Sequence, residues 1–178
     1  VEIRSYTGKR RYITVPDKIY EKTVSSIGDF AFDGQTRLRQ VNLPKTITNI
    51  GKFAFRNCNN LYALNLPDGV KTIDENAFEN TVRLQNIGMN AGIALEKVGD
   101  FAFKGSGLTR FDVTAKVSYL NGSAFFGANS LKTFTVAKSN VNYTVFDGVL
   151  FNKTASKIVA YPAAKSGAYT IKDGVTSI

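Results

Sequence analysis

The 178-residue chain contains no histidine and a single cysteine, Cys58. These absences remove zinc sites built on Cys and His, Ser-His-Asp and Cys-His catalytic arrangements, haem ligation by His, and any internal disulfide. Carboxylate, lysine, tyrosine and serine-lysine chemistry stay open. No stretch approaches the roughly 18 continuous apolar residues of a membrane-spanning helix, and the amino end lacks the basic, apolar and small-residue regions of a signal peptide. Gly-rich phosphate loops are missing too, since Gly105-Ser106-Gly107 has neither the next glycine nor a strand-to-helix setting. Asp74 and Glu75 are neighbours whose side chains diverge, and no second carboxylate shares their repeat position nearby, so they make no acid/base pair. We therefore expect no catalytic residue, no metal and no cofactor.

What is present reads as an ordinary globular balance, 43% apolar and 21% charged, enough for one or at most two domains with a real core. The formal charge of +9 suits anionic partners. The basic residues are scattered as solvated turn positions, with one local cluster, Lys9-Arg10-Arg11.

Self-similarity carries the reading. Ile27-Gly28-Asp29-Phe30-Ala31-Phe32 recurs at Ile50-Gly51-Lys52-Phe53-Ala54-Phe55, Ile73-Asp74-Glu75-Asn76-Ala77-Phe78, Val98-Gly99-Asp100-Phe101-Ala102-Phe103 and Leu120-Asn121-Gly122-Ser123-Ala124-Phe125, with starts 23, 23, 25 and 22 residues apart. Each copy is followed by an apolar triplet: Leu38-Val41-Leu43, Leu61-Leu64-Leu66, Leu84-Ile87-Met89, Leu108-Phe111-Val113 and Leu131-Phe134-Val136. The third copy is two residues longer after Met89 and the fourth one shorter before Leu108, both at loop positions.

Within a copy, Val41-Asn42-Leu43 alternates with the period of a half-buried strand. A turn such as Leu66-Pro67-Asp68-Gly69-Val70 follows, then a second alternation, Val70-Lys71-Thr72-Ile73, and then Gly-x-x-Ala-Phe. That last piece is expected to form a single helical turn, with Phe32, Phe55, Phe78, Phe103 and Phe125 stacked as an aromatic ladder. One unit cannot bury its own apolar face, so stability grows with stacking. The expected product is a right-handed coil of short parallel β-strands with short helical turns, about 23 residues per repeat.

The copies resemble the BspA-like, bacterial surface-antigen type of leucine-rich repeat. The second copy carries the pattern almost throughout: Ile50, Gly51, Ala54, Phe55, Cys58, Leu61, Leu64, Leu66, Pro67, Val70 and Ile73. The resemblance implies a leucine-rich-repeat solenoid over about residues 12–178, with residues 1–11 as a lead or partial cap. It also implies a surface-displayed or secreted protein that works in adhesion. Cys58 aligns with Gln35, Thr81, Ser106 and Ala128 and reads as a small, partly buried packing residue. Around residues 140–165 the period lapses into a hairpin-like interruption, with Val149–Phe151 and Ile158–Tyr161 as its arms. The repeat restarts at Tyr169 and breaks off at Ile178, as in a fragment of a longer chain.

The solvent-facing strand positions form the candidate binding surface, expected on the concave side. They include Gln40, Asn42, Asn65, Asn86, Arg110, Asp112 and Thr133, with a rim containing Tyr62 and Lys132. This face is polar and nearly neutral, which argues against nucleic acid and for a protein ligand such as a host or matrix protein. Two alternatives remain: a spacer or stalk that presents another domain, and a module for acidic or neutral glycans.

Overall fold

The computed structural model describes residues 1–178. Short parallel strands form two faces of a β-solenoid. In the second sheet, Glu2–Ile3, Ser26–Ile27, Asn49–Ile50, Thr72–Ile73 and Lys97–Val98 lie side by side in chain order. In the first, Tyr12–Thr14, Gln40–Asn42 and Ala63–Leu64 pair in parallel, and Arg110–Val113 pairs with Thr133–Val136. Register follows repeat position, so Ile13, Val41 and Leu64 are aligned, as are Ile27, Ile50 and Ile73.

The sequence explains why the strands are so short. Most hold one inward residue, as in the half-buried, buried, exposed sequence Gln40-Val41-Asn42, before a turn redirects the chain; Arg110–Val113 is longer and holds two. The third copy is the weak point of the first sheet. Asn86-Ile87-Gly88 forms no strand; one bridge, Asn65 to Gly88, joins it to the second copy, and Thr109 N donating to Gln85 O at 3.0 Å joins it to the fourth. A Cβ on Gly88 would strike the Asn65 amide, so glycine lets the Asn65 side chain lie over it.

The Gly-x-x-Ala-Phe segments form a third rail. Phe32, Phe55 and Phe78 each donate their backbone N–H to the alanine carbonyl of the next turn at 2.7 Å. The alanines are buried, and a larger side chain there would hold the turns apart. Only Gly122–Phe125 is a 3-10 helix; the other four copies are chains of i to i+3 bonded turns. The reason is backbone sign: Phe30, Phe53, Asn76 and Phe101 have φ between 56° and 58°, which interrupts a right-handed helix. The phenylalanine ladder forms with near-parallel rings, 5.0, 5.2, 5.3 and 5.9 Å apart from Phe32 through Phe125. Fully burying each ring contributes roughly 1.5–3 kcal/mol.

At the amino end, Tyr6 continues the ladder, 5.5 Å from Phe32, and its N–H donates to Ala31 O at 2.8 Å. An insertion then projects a two-strand hairpin, Lys18–Ile19 with Lys22–Thr23, whose tip residues Tyr20 and Glu21 both have positive φ. Near the carboxyl end, Tyr143–Phe146, Val149–Asn152 and Ile158–Ala160 make a three-stranded antiparallel sheet. Its first turn is Asp147-Gly148, with φ of 46° and 75°, the backbone of a two-residue hairpin that matches strand twist. Val149–Asn152 pairs with Ile158–Ala160 across the polar stretch between them, and Tyr143–Phe146 adds a strand that the repeat pattern did not reveal. One continuous core runs from Val15 to Ala160, so the turns form a single stack.

Candidate functional site

The first sheet presents two columns of outward residues. Tyr12, Gln40 and Ala63 are register partners in one, and Arg110 and Thr133 extend it past Asn86. The other runs through Thr14, Asn42, Asn65, Gly88, Asp112 and Thr135. Asn42, Tyr62, Asn65, Asn86, Arg110 and Lys132 are exposed, whereas Gln40, Asp112 and Thr133 are half-buried.

The side chains bond to one another in two groups. In the amino-terminal group, Gln40 Nε2 donates to Asn42 Oδ1 at 3.0 Å and Asn42 Nδ2 donates to Thr14 Oγ1 at 3.3 Å. In the other, Arg110 donates to Asp112 Oδ1 through Nη2 at 2.5 Å and Nε at 3.2 Å, and Thr135 Oγ1 donates to the same oxygen at 2.5 Å. Arg110 and Asp112 therefore cancel each other's charge, and a ligand here meets a neutral hydrogen-bonding surface.

Thr133 closes the face. A Cβ on Gly148 would sit 2.6 Å from Thr133 Oγ1, so the hairpin turn covers that side chain. Phe134 N donates to Gly148 O at 2.9 Å, which fixes the turn there. Lys132 stands beside this lid, its N–H bonded to Thr109 O at 2.9 Å. Beside Arg110 and Asp112, the extra length of the third copy opens a hollow of about 280 Å³ between Met89–Ala91 and Thr135–Ala137. It is the one concavity on this face that mixes apolar walls with an ion pair; Met89 is the last apolar position of the third copy, whereas Ala91, inside the insertion that follows it, has no counterpart in the repeat pattern.

Tyr12 and Thr14 also belong to the surface but precede the first full copy, where only the pairing with Gln40 and Asn42 identifies them. Tyr12 and Tyr62 are exposed, in the turns before and after that of Arg39. A hydrogen bond from Arg39 holds the Tyr12 hydroxyl below the usual tyrosine range, and the bond with Tyr12 raises Tyr62. Away from this face, Cys58 is wholly enclosed, not partly buried, and its Sγ donates to Phe32 O at 3.1 Å. Burial pushes the thiol up to about 12. Three or more carboxylates and thiols converge nowhere in a way that would hold a metal ion.

A model of the BspA type leucine-rich repeat region matches residues 25–156 in six copies. The chain belongs to the BspA-type leucine-rich-repeat family. No curated protein matches the sequence. Among solved structures, a leucine-rich-repeat protein of T. pallidum superposes with a TM-score of 0.71 at 29% identity, covering 75% of this chain and 62% of the other. A leucine-rich cell surface protein of Faecalibacterium prausnitzii covers 99% of this chain and 61% of its own, at 23% identity and a TM-score of 0.67. The pneumococcal vaccine antigen PcpA covers 98% and 52%, at 20% identity and a TM-score of 0.73. The leucine-rich-repeat chain thus spans about six tenths or less of the length of these proteins.

Proposed function

We propose that this leucine-rich-repeat chain is a non-catalytic recognition domain, displayed at a cell surface or secreted, that binds a host or matrix protein in adhesion. The observation that carries the reading is the register-aligned polar face from Tyr12 to Thr135, with its hollow beside Arg110 and Asp112. A flat ladder of amides, hydroxyls and one neutralised ion pair offers many hydrogen bonds at little electrostatic cost, which suits a folded protein surface. Arg110 and Tyr62 are of the residue types that anchor such contacts. The cell surface protein and the vaccine antigen that share the fold support the placement outside the cell.

The test is binding of the purified domain to a panel of matrix proteins at physiological salt, alongside Asn65→Ala with Arg110→Ala. Saturable binding that weakens about tenfold in the double variant is expected. Absence of binding across the panel, with the domain folded, overturns the reading and favours a spacer that presents other parts of a longer protein.

A further inference from the structure

Most charged side chains that face each other between turns are paired. Arg56 with Asp33, Lys52 with Glu75, Lys97 with Asp74 and Lys104 with Glu79 bridge adjacent turns along the second sheet and the phenylalanine rail. The rim of the first sheet in its amino-terminal half is different. Residues 9–14, 35–42, 58–65 and 81–88 occupy matching positions in four successive turns and contain no Asp or Glu, yet they hold Lys9, Arg10, Arg11, Arg37, Arg39 and Arg83. None of these six cations belongs to any of the eight ion pairs.

Backbone bonds stack these stretches: Arg39 N donates to Arg11 O at 2.7 Å, and Tyr62 N donates to Arg39 O at 3.0 Å. On the rim so formed, Tyr12 and Tyr62 are 55% and 48% exposed, in the turns that flank Arg39. Arg83 is steadied by a 3.2 Å bond from Nη1 to Asn60 Oδ1. Tyr62, Val82, Arg83 and Gln85 line a shallow hollow of about 370 Å³. Cations outside any ion pair, two exposed tyrosines and a hollow thus coincide on one strip parallel to the solenoid axis.

We propose that this strip binds a linear anionic polysaccharide, carboxylated or sulfated, with its acid groups on Arg11, Arg39 and Arg83 and its sugar faces on Tyr12 and Tyr62. A guanidinium presents a planar fork that matches carboxylate and sulfate oxygens in pairs, and no existing ion pair has to be broken. Tyrosine rings give rigid flat faces for the C–H side of a pyranose and hydroxyls for its rim. Adjacent strands lie roughly 4.8 Å apart, so successive turns offer contacts at about the advance of one sugar. A peptide would call for an enclosed apolar anchor site, and Val82, 56% exposed, does not provide one. The strip differs in ligand class from the neutral protein-binding face, with Tyr62 on their shared edge.

The experiment measures binding of heparin and chondroitin sulfate fragments by calorimetry, with dextran and poly-glutamate as neutral and peptide competitors. Arg39→Ala with Arg83→Ala is compared with Lys71→Ala with Lys116→Ala, which removes the same charge elsewhere, and unfolding midpoints are recorded for each. Should the alanine variant melt early, Arg39→Gln with Arg83→Gln replaces it. The expected result is saturable binding to the charged fragments that weakens steeply with salt, falls about tenfold or more in the strip variant and is unchanged in the control. Tyr62→Phe should retain more affinity than Tyr62→Ala. Equal loss in both double variants, competition by poly-glutamate as strong as by heparin, or no binding to either fragment would each overturn the proposal.

Discussion

Asn140 is fully buried and uses its whole amide. Nδ2 donates to Thr114 O at 2.8 Å and Val117 O at 3.0 Å, while Oδ1 accepts from the backbone of Asn142 and Tyr143, both at 2.8 Å. The residue ties the turn after the fourth repeat to the start of the hairpin that replaces regular winding. Asn140→Ala leaves several buried backbone groups without partners and should cost about 3 kcal/mol in urea unfolding. Cys58 gives a pH signature. The unfolded thiol ionises near its ordinary 9.0, whereas the folded thiol keeps its proton to about 12. Its contribution is therefore complete below pH 9 and is lost as pH rises toward 12, because only the unfolded state gains by ionising. The stability difference between the parent and Cys58→Ala should shift against the parent as pH rises from about 9 toward 12, and native Cys58 should resist alkylation at pH 8.

At the scale of elements, the two hairpins contrast. Asp147-Gly148 has the residues that a turn with two positive φ values favours, whereas Tyr20-Glu21 adopts similar angles without them. Tyr20 is 95% exposed and makes no packing contribution that would offset its backbone cost. Tyr20→Asn with Glu21→Gly should raise stability by roughly 1 kcal/mol, seen as a higher urea midpoint at unchanged slope. In the phenylalanine ladder the geometry predicts the reverse. Phe78 is fully buried and stacks on Phe55 and Phe103, so Phe78→Ala should destabilise by about 3–5 kcal/mol. Phe101, one position before each alanine, is 37% exposed at positive φ. The same position in the third copy is Asn76, a residue that accepts this backbone readily.

The whole molecule is a one-dimensional stack in which each turn touches its neighbours. Leu61 and Leu131 are buried three repeats apart. Leu61→Ala and Leu131→Ala should therefore add to within about 0.5 kcal/mol in a double-mutant cycle. Phe55→Ala and Phe78→Ala, whose rings meet at 5.2 Å, should not add. The repeat and its inward residues were legible because period and burial are the same fact: Leu38, Val41, Phe55 and Ile73 recur at fixed spacing and all face the core. The outward columns through Gln40, Asn42, Asn65 and Arg110 were legible for the same reason, since strand alternation sends every second residue out. The sequence by itself thus determined the winding, the core and which residues meet solvent, all consequences of local period. Tertiary structure alone decided what those outward residues meet: Arg110 is neutralised by Asp112, Thr133 lies under Gly148, and Tyr12 joins Arg39 and Tyr62 across turns. These contacts join residues separated by variable loops, where side-chain direction and distance follow from how adjacent turns settle on each other and not from spacing along the chain.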